Sequence, residues 1–191
     1  MIAEHQIKRD QQLTTIPKLK KEWRVSFDLK ATSFGGGLRQ VFHMTIGGKG
    51  SGRGSKYGDR VPAVWTHPSR GFFVASAVNG RYSYAKWIKA LPVVGKWINI
   101  EIGQEIEDYK MMYFIIIGGK KMFSTKNFKP EEFDNVQVFT SSDWFSSLDG
   151  SIRNLLIKNK YSSHAGCIIF ELAPFITLCF RFLEQFVFPK K

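Results

Sequence analysis

The chain has 191 residues, with 28 Lys and Arg against 16 Asp and Glu for a net charge of +12, and an aromatic set of 17 Phe, 5 Trp and 6 Tyr. That length suits one domain with a core of its own, and the dominance of β formers without long helical periodicity points away from a helical protein and towards an all-β sandwich or barrel. Both cysteines, Cys167 and Cys179, fall near the C-terminus, so the body of the chain has neither a disulfide framework nor a cysteine-ligated metal.

Residues 1–21 read as a polar, basic lead-in with no apolar signal region. From Trp23 to Ala31 apolar and polar residues alternate strictly, the mark of a half-buried strand. Phe42, Met44 and Ile46 repeat the pattern. Gly47 to Gly58 is a glycine-rich loop. Short strands are expected at Val61–Thr66 and Phe72–Val78. Asn79-Gly80 then marks a type I′ hairpin, because both central residues of that turn need positive φ. The return strand runs from Arg81 to Trp87.

Next come Trp97–Gly103 and Tyr109–Ile117, read as two strands joined by an acidic turn, Gln104 to Asp108. Met111 to Ile117 is apolar on both faces, which places it centrally in a packed sheet. Gly118-Gly119 turns into Lys120–Thr125. Asn127 to Phe133 is a polar connection with room for one helical turn. Val136–Thr140 and Ser151–Lys158 are the last strands, so the sandwich spans 22–160.

Residues 161–191 form a tail of different character. Cys167 to Phe188 is long enough for a membrane span, but Glu171, Pro174, Arg181 and Glu184 interrupt it. A charge at the bilayer centre costs roughly 2.5–3.5 kcal/mol on insertion scales, which favours a segment packed on the sandwich or foreign to it.

Charge is uneven. Between Leu29 and Lys96 lie Lys30, Arg39, Lys49, Arg53, Lys56, Arg60, Arg70, Arg81, Lys86, Lys89 and Lys96, against Asp59 alone. Such a balance points to an anionic partner: a sulfated or uronic glycan, ahead of nucleic acid or a membrane surface. The plain alternative is a solvated face. Within this region Arg53, Lys56, Tyr57, Arg60, Arg81, Tyr82, Tyr84 and Lys86 are the candidate ligand-binding residues. Aromatic faces stack on sugar rings and cations pair with sulfate or uronate. Tyr82 and Tyr84 are expected to share one strand face; Trp65 reads as core. The glycine-rich loop matches neither a Walker A nor a G-x-G-x-x-G pattern. Asp59 reads as a turn or ion-pair residue.

Four features resemble the concanavalin A-like jelly-roll sandwiches, most of all laminin G-type modules. They are the strand Trp23-Arg24-Val25-Ser26-Phe27-Asp28-Leu29, the Gly95-Lys96-Trp97 entry to the paired strands, the Gly118-Gly119-Lys120-Lys121 turn, and the closing Asp149-Gly150-Ser151-Ile152-Arg153-Asn154-Leu155. The resemblance covers roughly Trp23 to Lys158. It implies a two-sheet antiparallel jelly roll, recognition of glycans or extracellular proteins and, in many members, calcium at the rim. The loop carboxylates Asp108, Asp134, Asp143 and Asp149 are the ones a calcium ion would need to bring together. The chain departs from laminin G modules in having no late disulfide, and His43-Met44-Thr45-Ile46-Gly47 does not match the galectin His-x-Asn-x-Arg pattern.

Catalytic signals are weak. Glycosidases of this fold carry Glu-x-Asp-x-x-Glu on one strand face, and Glu105-Ile106-Glu107-Asp108 reads as a turn. His5, His43, His67 and His164 are scattered, and no nucleophile–base set follows from spacing. The expected function is a non-catalytic module recognising acidic glycans or an extracellular protein. A polysaccharide-active enzyme and a structural adhesion repeat are the alternatives. The setting is expected to be extracellular, within a secreted or larger protein, or else cytoplasmic, because no signal region is seen.

Overall fold

The computed structural model describes residues 4–47, 56–160 and 168–171. Lys49 and Arg53 of the glycine-rich loop, His164, Cys167, Cys179 and most of the apolar tail lie outside the described residues.

The strands are β1 Glu4–Gln6, β2 Gln12–Leu19, β3 Glu22–Ser33, β4 Arg39–Thr45, β5 Ala63–His67, β6 Gly71–Val78, β7 Arg81–Ile88, β8 Trp97–Glu107, β9 Lys110–Ile117, β10 Lys120–Lys126, β11 Phe133–Phe139, β12 Asp149–Lys160 and β13 Ile168–Glu171. They build two antiparallel sheets. Sheet 1 has the order β1-β12-β3-β8-β9-β10, with β13 also on β12; sheet 2 has the order β2-β11-β4-β5-β6-β7. Among the described residues there is no helix, hence none long and apolar enough to cross a membrane.

The alternation in β3 does what its sequence dictates. Trp23, Val25, Phe27, Leu29 and Ala31 are buried between the sheets, while Arg24, Ser26, Asp28 and Lys30 turn outward. Each large side chain of this kind stabilises the fold by roughly 1.5–3 kcal/mol through burial. Phe27 meets Phe42 of sheet 2 at 5.0 Å between ring centroids, which ties the layers together.

Several expectations are corrected. Residues 4–19, read as lead-in, form β1 on β12 and β2 on β11. The acidic turn is no turn: β8 continues to Glu107, which pairs with Lys110, and only Asp108 and Tyr109 (φ 48° and 61°) make the bend. Glu105 therefore sits in a strand. β9 is one place from the sheet edge rather than central, and its outward Phe114 is covered from its own sheet. Gly103 leaves room for the ring, because a Cβ there would lie 3.0 Å from Phe114 Cζ, and the Arg24 guanidinium lies 4.9 Å from the ring centroid. No helical turn forms after Asn127. That residue is buried instead, donating to Gln104 Oε1 at 2.7 Å and accepting from the Asn79 backbone N–H at 3.0 Å.

Candidate aromatic and cationic binding face

Strands β4 to β7 each bury one set of side chains between the sheets and turn the other set outward. Val64, Phe72, Val74 and Ile88 belong to the inter-sheet core; Ala63, Trp65, Ala75, Phe73 and Ala85 form a separate cluster on the outer face of sheet 2. Strand register arranges that outer face in two rows. One runs Gln40–Trp65–Phe73–Trp87 across four strands, and the next runs His43–Ala63–Ala75–Ala85. Trp65 and Phe73 are 5.5 Å apart between centroids, Phe73 and Trp87 4.8 Å. The alanines are a floor of small side chains beside an aromatic ridge.

The segment from Thr140 to Leu148 roofs the β4 side of this face. The Gln40 N–H donates to Ser146 O and the Leu148 N–H to Gln40 O, each at 2.9 Å. The Ser142 N–H donates to Gln40 Oε1 at 2.8 Å, and its hydroxyl oxygen lies 2.9 Å from the same oxygen. Trp144 meets His43 edge-on at 4.6 Å and Phe145 meets Trp65 edge-on at 5.4 Å. Trp65 is therefore buried as expected, but by this roof rather than in the core. Phe73, Ala85 and Trp87, towards the β7 edge, stay half-exposed.

His43 is locked under the roof. Its Nε2 lies 2.7 Å from Asp59 O, which can only accept, so Nε2 carries the proton and Nδ1 faces the Ser142 hydroxyl at 3.0 Å. Burial pushes its pKa down to about 4, so the ring is neutral. Asp59 closes the preceding turn by accepting the Lys56 N–H at 2.8 Å. Its Oδ1 occupies the space that a Cβ on Gly47 would need.

Cations stand on the aromatic residues. The Arg60 guanidinium lies 5.5 Å from the Trp144 centroid and 6.0 Å from that of Trp65, reaching over the β4–β5 end of the alanine row. Burial lowers its pKa, opposed by Asp59 and by Tyr82, so Tyr82 is within electrostatic reach of it. At the other end Arg70 stacks on Trp87 at 3.8 Å, and His67 meets the same indole edge-on at 6.0 Å. The stretch from Arg60 to Ile100 contains no Asp or Glu.

The eight candidates do not gather in one place. Arg60 and Tyr82 adjoin the outer face, and Tyr82 is 45% exposed. Tyr84 turns the other way, contrary to the expectation that it shares a face with Tyr82. A bulge in β7 falls between the pairs Ser76–Tyr84 and Val78–Arg81 and breaks the alternation. Tyr84 packs against the core and Phe123 of β10 at 6.2 Å, and Lys86 Nζ covers those two rings at 5.3 and 4.7 Å. These two residues close the open edge between the sheets. Tyr57 leans on Phe133 at 5.7 Å and donates to Lys129 O at 3.2 Å; burial raises its pKa, helped by Glu131. Lys56 and Arg81 are exposed at that end. Arg53 lies outside the described residues.

Phe73, Arg70, Trp144 and Phe145 were missed by sequence reasoning, and Trp87, an aromatic residue among the cations of the basic region, is not among the eight candidates. The available signal was that β5 and β6 are apolar in both phases, which requires cover on both faces of sheet 2. The calcium carboxylates do not converge. Asp134 pairs with Lys18 at 3.3 Å, and Asp149 accepts from Ser33 at 3.2 Å. Among the described residues no three His, Cys, Asp or Glu side chains gather to hold a metal ion, so the donor set does not fit one.

No family model and no curated protein matches the sequence. Solved structures do. The CBM40 of the Ruminococcus gnavus IT-sialidase superposes with a TM-score of 0.56 at 11% identity, over 84% of this chain and 94% of that one. The fold is the concanavalin A-like jelly roll. A heptameric SAP-like pentraxin from Limulus polyphemus gives 0.52 at 11% identity, over 81% of this chain and 74% of its own. Domains LG4-5 of the mouse laminin alpha1 chain give 0.51 at 13%, over 91% of this chain and 44% of theirs, in keeping with the laminin G resemblance of the strands. The R. gnavus CBM40 also matches in complex with alpha2,3 sialyllactose, at a TM-score of 0.53 and 10% identity, over 81% of this chain and 89% of that one. At these identities the likeness is one of fold.

Proposed function

We propose that the chain is a non-catalytic carbohydrate-recognition module of extracellular setting that takes an acidic glycan along the outer face of sheet 2. The observation that carries this reading is the half-exposed pair Phe73–Trp87 beside Ala85, at the open end of the in-register row that begins under the roof at Trp65, with Arg70 on Trp87 and no carboxylate on β5, β6 or β7. Aromatic side chains offer apolar area to a sugar ring, and arginine offers a planar fork to a carboxylate or sulfate. The sialyllactose held by the R. gnavus CBM40 is an acidic sugar on the same fold and supports this choice.

Hydrolysis is a poorer fit. Glu101 and Glu105 share a face of β8, but Arg24 binds both, at 3.1 and 2.8 Å, and Lys160 lies 3.2 Å from Glu105. Burial acts to raise the Glu105 pKa, and the bonds and charge of Arg24 and Lys160 outweigh it, holding the carboxyl below its ordinary range. A carboxyl held ionised in this way makes a poor general acid. His43 and Ser142 are both buried, out of reach of a substrate.

The test is a panel of sulfated, uronic, sialylated and neutral oligosaccharides, scored for retention and for cleavage. Acidic members should be retained, with Trp87→Ala or Arg60→Glu lowering affinity about tenfold or more, equivalent to about 1.4 kcal/mol. Retention no stronger than that of an unrelated protein of equal net charge would sink the reading. So would cleavage that Glu105→Gln abolishes.

A further inference from the structure

An open pocket of ≈ 440 Å³ lies where the β5–β6 turn approaches the segment after β7, lined by Ser69, Arg70, Gly71, Trp87, Lys89 and Leu91. Its volume falls within the range of small-molecule sites. Gly71 makes the close approach feasible: φ is +85°, and a Cβ there would come within 2.2 Å of Ile88 O. Arg70 lies on the Trp87 indole at 3.8 Å, and that indole is itself wedged by Phe73 and His67. Stacking uses the face of the guanidinium and leaves its edge of N–H donors free. Ser69 completes the turn, its backbone N–H donating to His67 Nδ1 at 3.2 Å with the hydroxyl also 3.2 Å from that nitrogen. Among the described residues neither Arg70 nor Lys89 has a carboxylate partner.

We infer that this pocket is the anion subsite of the module, taking the carboxylate or sulfate of one sugar residue between Arg70 and Lys89. Trp87 and Leu91 supply its apolar walls. This deepens the carbohydrate reading and rests on it. Two unpaired cations converging on one concavity favour a compact anionic group. A fixed arginine fork beside an apolar wall distinguishes the charged sugar from its neutral parent, because removing the charge removes the strongest hydrogen bonds. The neighbouring exposed residues Leu91, Val93 and Val94 give this corner an apolar rim that also suits a lipid surface, and the test separates the two.

Calorimetry with the full chain uses three probes: a sulfated disaccharide, the matching uronic disaccharide, and their neutral parent. Arg70→Gln and Lys89→Gln should each weaken the preferred acidic probe about tenfold while leaving the neutral parent unchanged. The acidic probe that shows the loss identifies sulfate or carboxylate. Suppose instead that acidic probes bind and only Arg60→Gln weakens them. The anion then lies elsewhere on the face, this inference falls and the carbohydrate reading stands. If no probe binds, both fall. Lys89 is exposed, so Lys89→Gln should keep the fold; an effect of Arg70→Gln alone, accompanied by a lower Tm, also overturns the subsite. Binding to phosphatidylserine-containing vesicles that is lost on replacing Leu91, Val93 and Val94 with Ser would assign the corner to a membrane and overturn it equally.

Discussion

On the outer face of sheet 1, Arg24 bridges Glu101 and Glu105, Lys160 adds a second contact to Glu105, and Asp28 receives Asn99, Asn154 and Arg153. Lys30 pairs with Glu4 at 3.1 Å, and both it and Arg153 lie over Trp97. On the outer face of sheet 2, arginines lie on Trp144, Trp65 and Trp87, and strands β5 to β7 carry no acid. Both faces use cations against rings. The first closes its electrostatics internally, strand to strand; the second carries Arg70 and Lys89, which have no carboxylate partner among the described residues. A high net charge alone does not mark a binding face. What marks one is where the opposite charges are missing.

Acid should separate the two faces most strongly. The buried His43 has its pKa depressed to about 4, against about 6.5 when unfolded. Between those values only the unfolded chain takes up the proton. This contribution is therefore complete above pH 6.5 and is lost as pH falls towards 4, by an amount on the order of 3 kcal/mol. Urea unfolding at pH 7, 5.5 and 4.5 should show that slope, and His43→Gln should flatten it in this window. Glu105, held below its ordinary value, contributes above the ordinary carboxylate range and loses its contribution only at lower pH, as its own folded pKa is passed. An unchanged slope in His43→Gln would detach the histidine from the acid response.

Removing Arg24 should test the internal closure of sheet 1. Arg24→Leu leaves two neighbouring carboxylates facing each other, at side-chain exposures of 25% and 14%. The expected loss is about 1–2 kcal/mol, moderated by solvent screening. Glycan retention should not change. A loss of retention matching that of Arg60→Glu would erase the distinction between the faces.

Smaller effects sharpen the map of sheet 2. Ala85→Leu, which adds no charge, should raise the alanine floor and weaken glycan binding about tenfold, or about 1.4 kcal/mol, without moving the melting transition much. Tyr84→Phe and Lys56→Glu should change affinity less than about threefold, or about 0.7 kcal/mol, since one packs at the sandwich edge and the other lies at its far end. A large effect of Tyr84→Phe in titration would move the ligand to the β7–β10 edge.

The sequence by itself determined the class of fold, because period-two patterning is local. Trp23 to Ala31 must expose one face and bury the other, Asn79-Gly80 and Gly118-Gly119 must turn, and the paired strands after Gly95 must lie in a sheet. It did not reveal β2, whose residues Gln12 to Leu19 lack clean alternation and include Pro17; an edge strand tolerates both, since one of its sides pairs with nothing. The eight candidate residues were chosen for being close in sequence. Tertiary structure divided them, because one extra residue in β7 sends Tyr84 inward while Tyr82 stays near Arg60. The aromatic row was decided there too. Trp65, Phe73 and Trp87 align only through the register of three strands, and Trp144 and Phe145 join them from a segment more than fifty residues further on. Local pattern fixes which way a side chain points within its own strand. Which side chains become neighbours depends on strand pairing and register, and these are set by the packing of the whole sandwich.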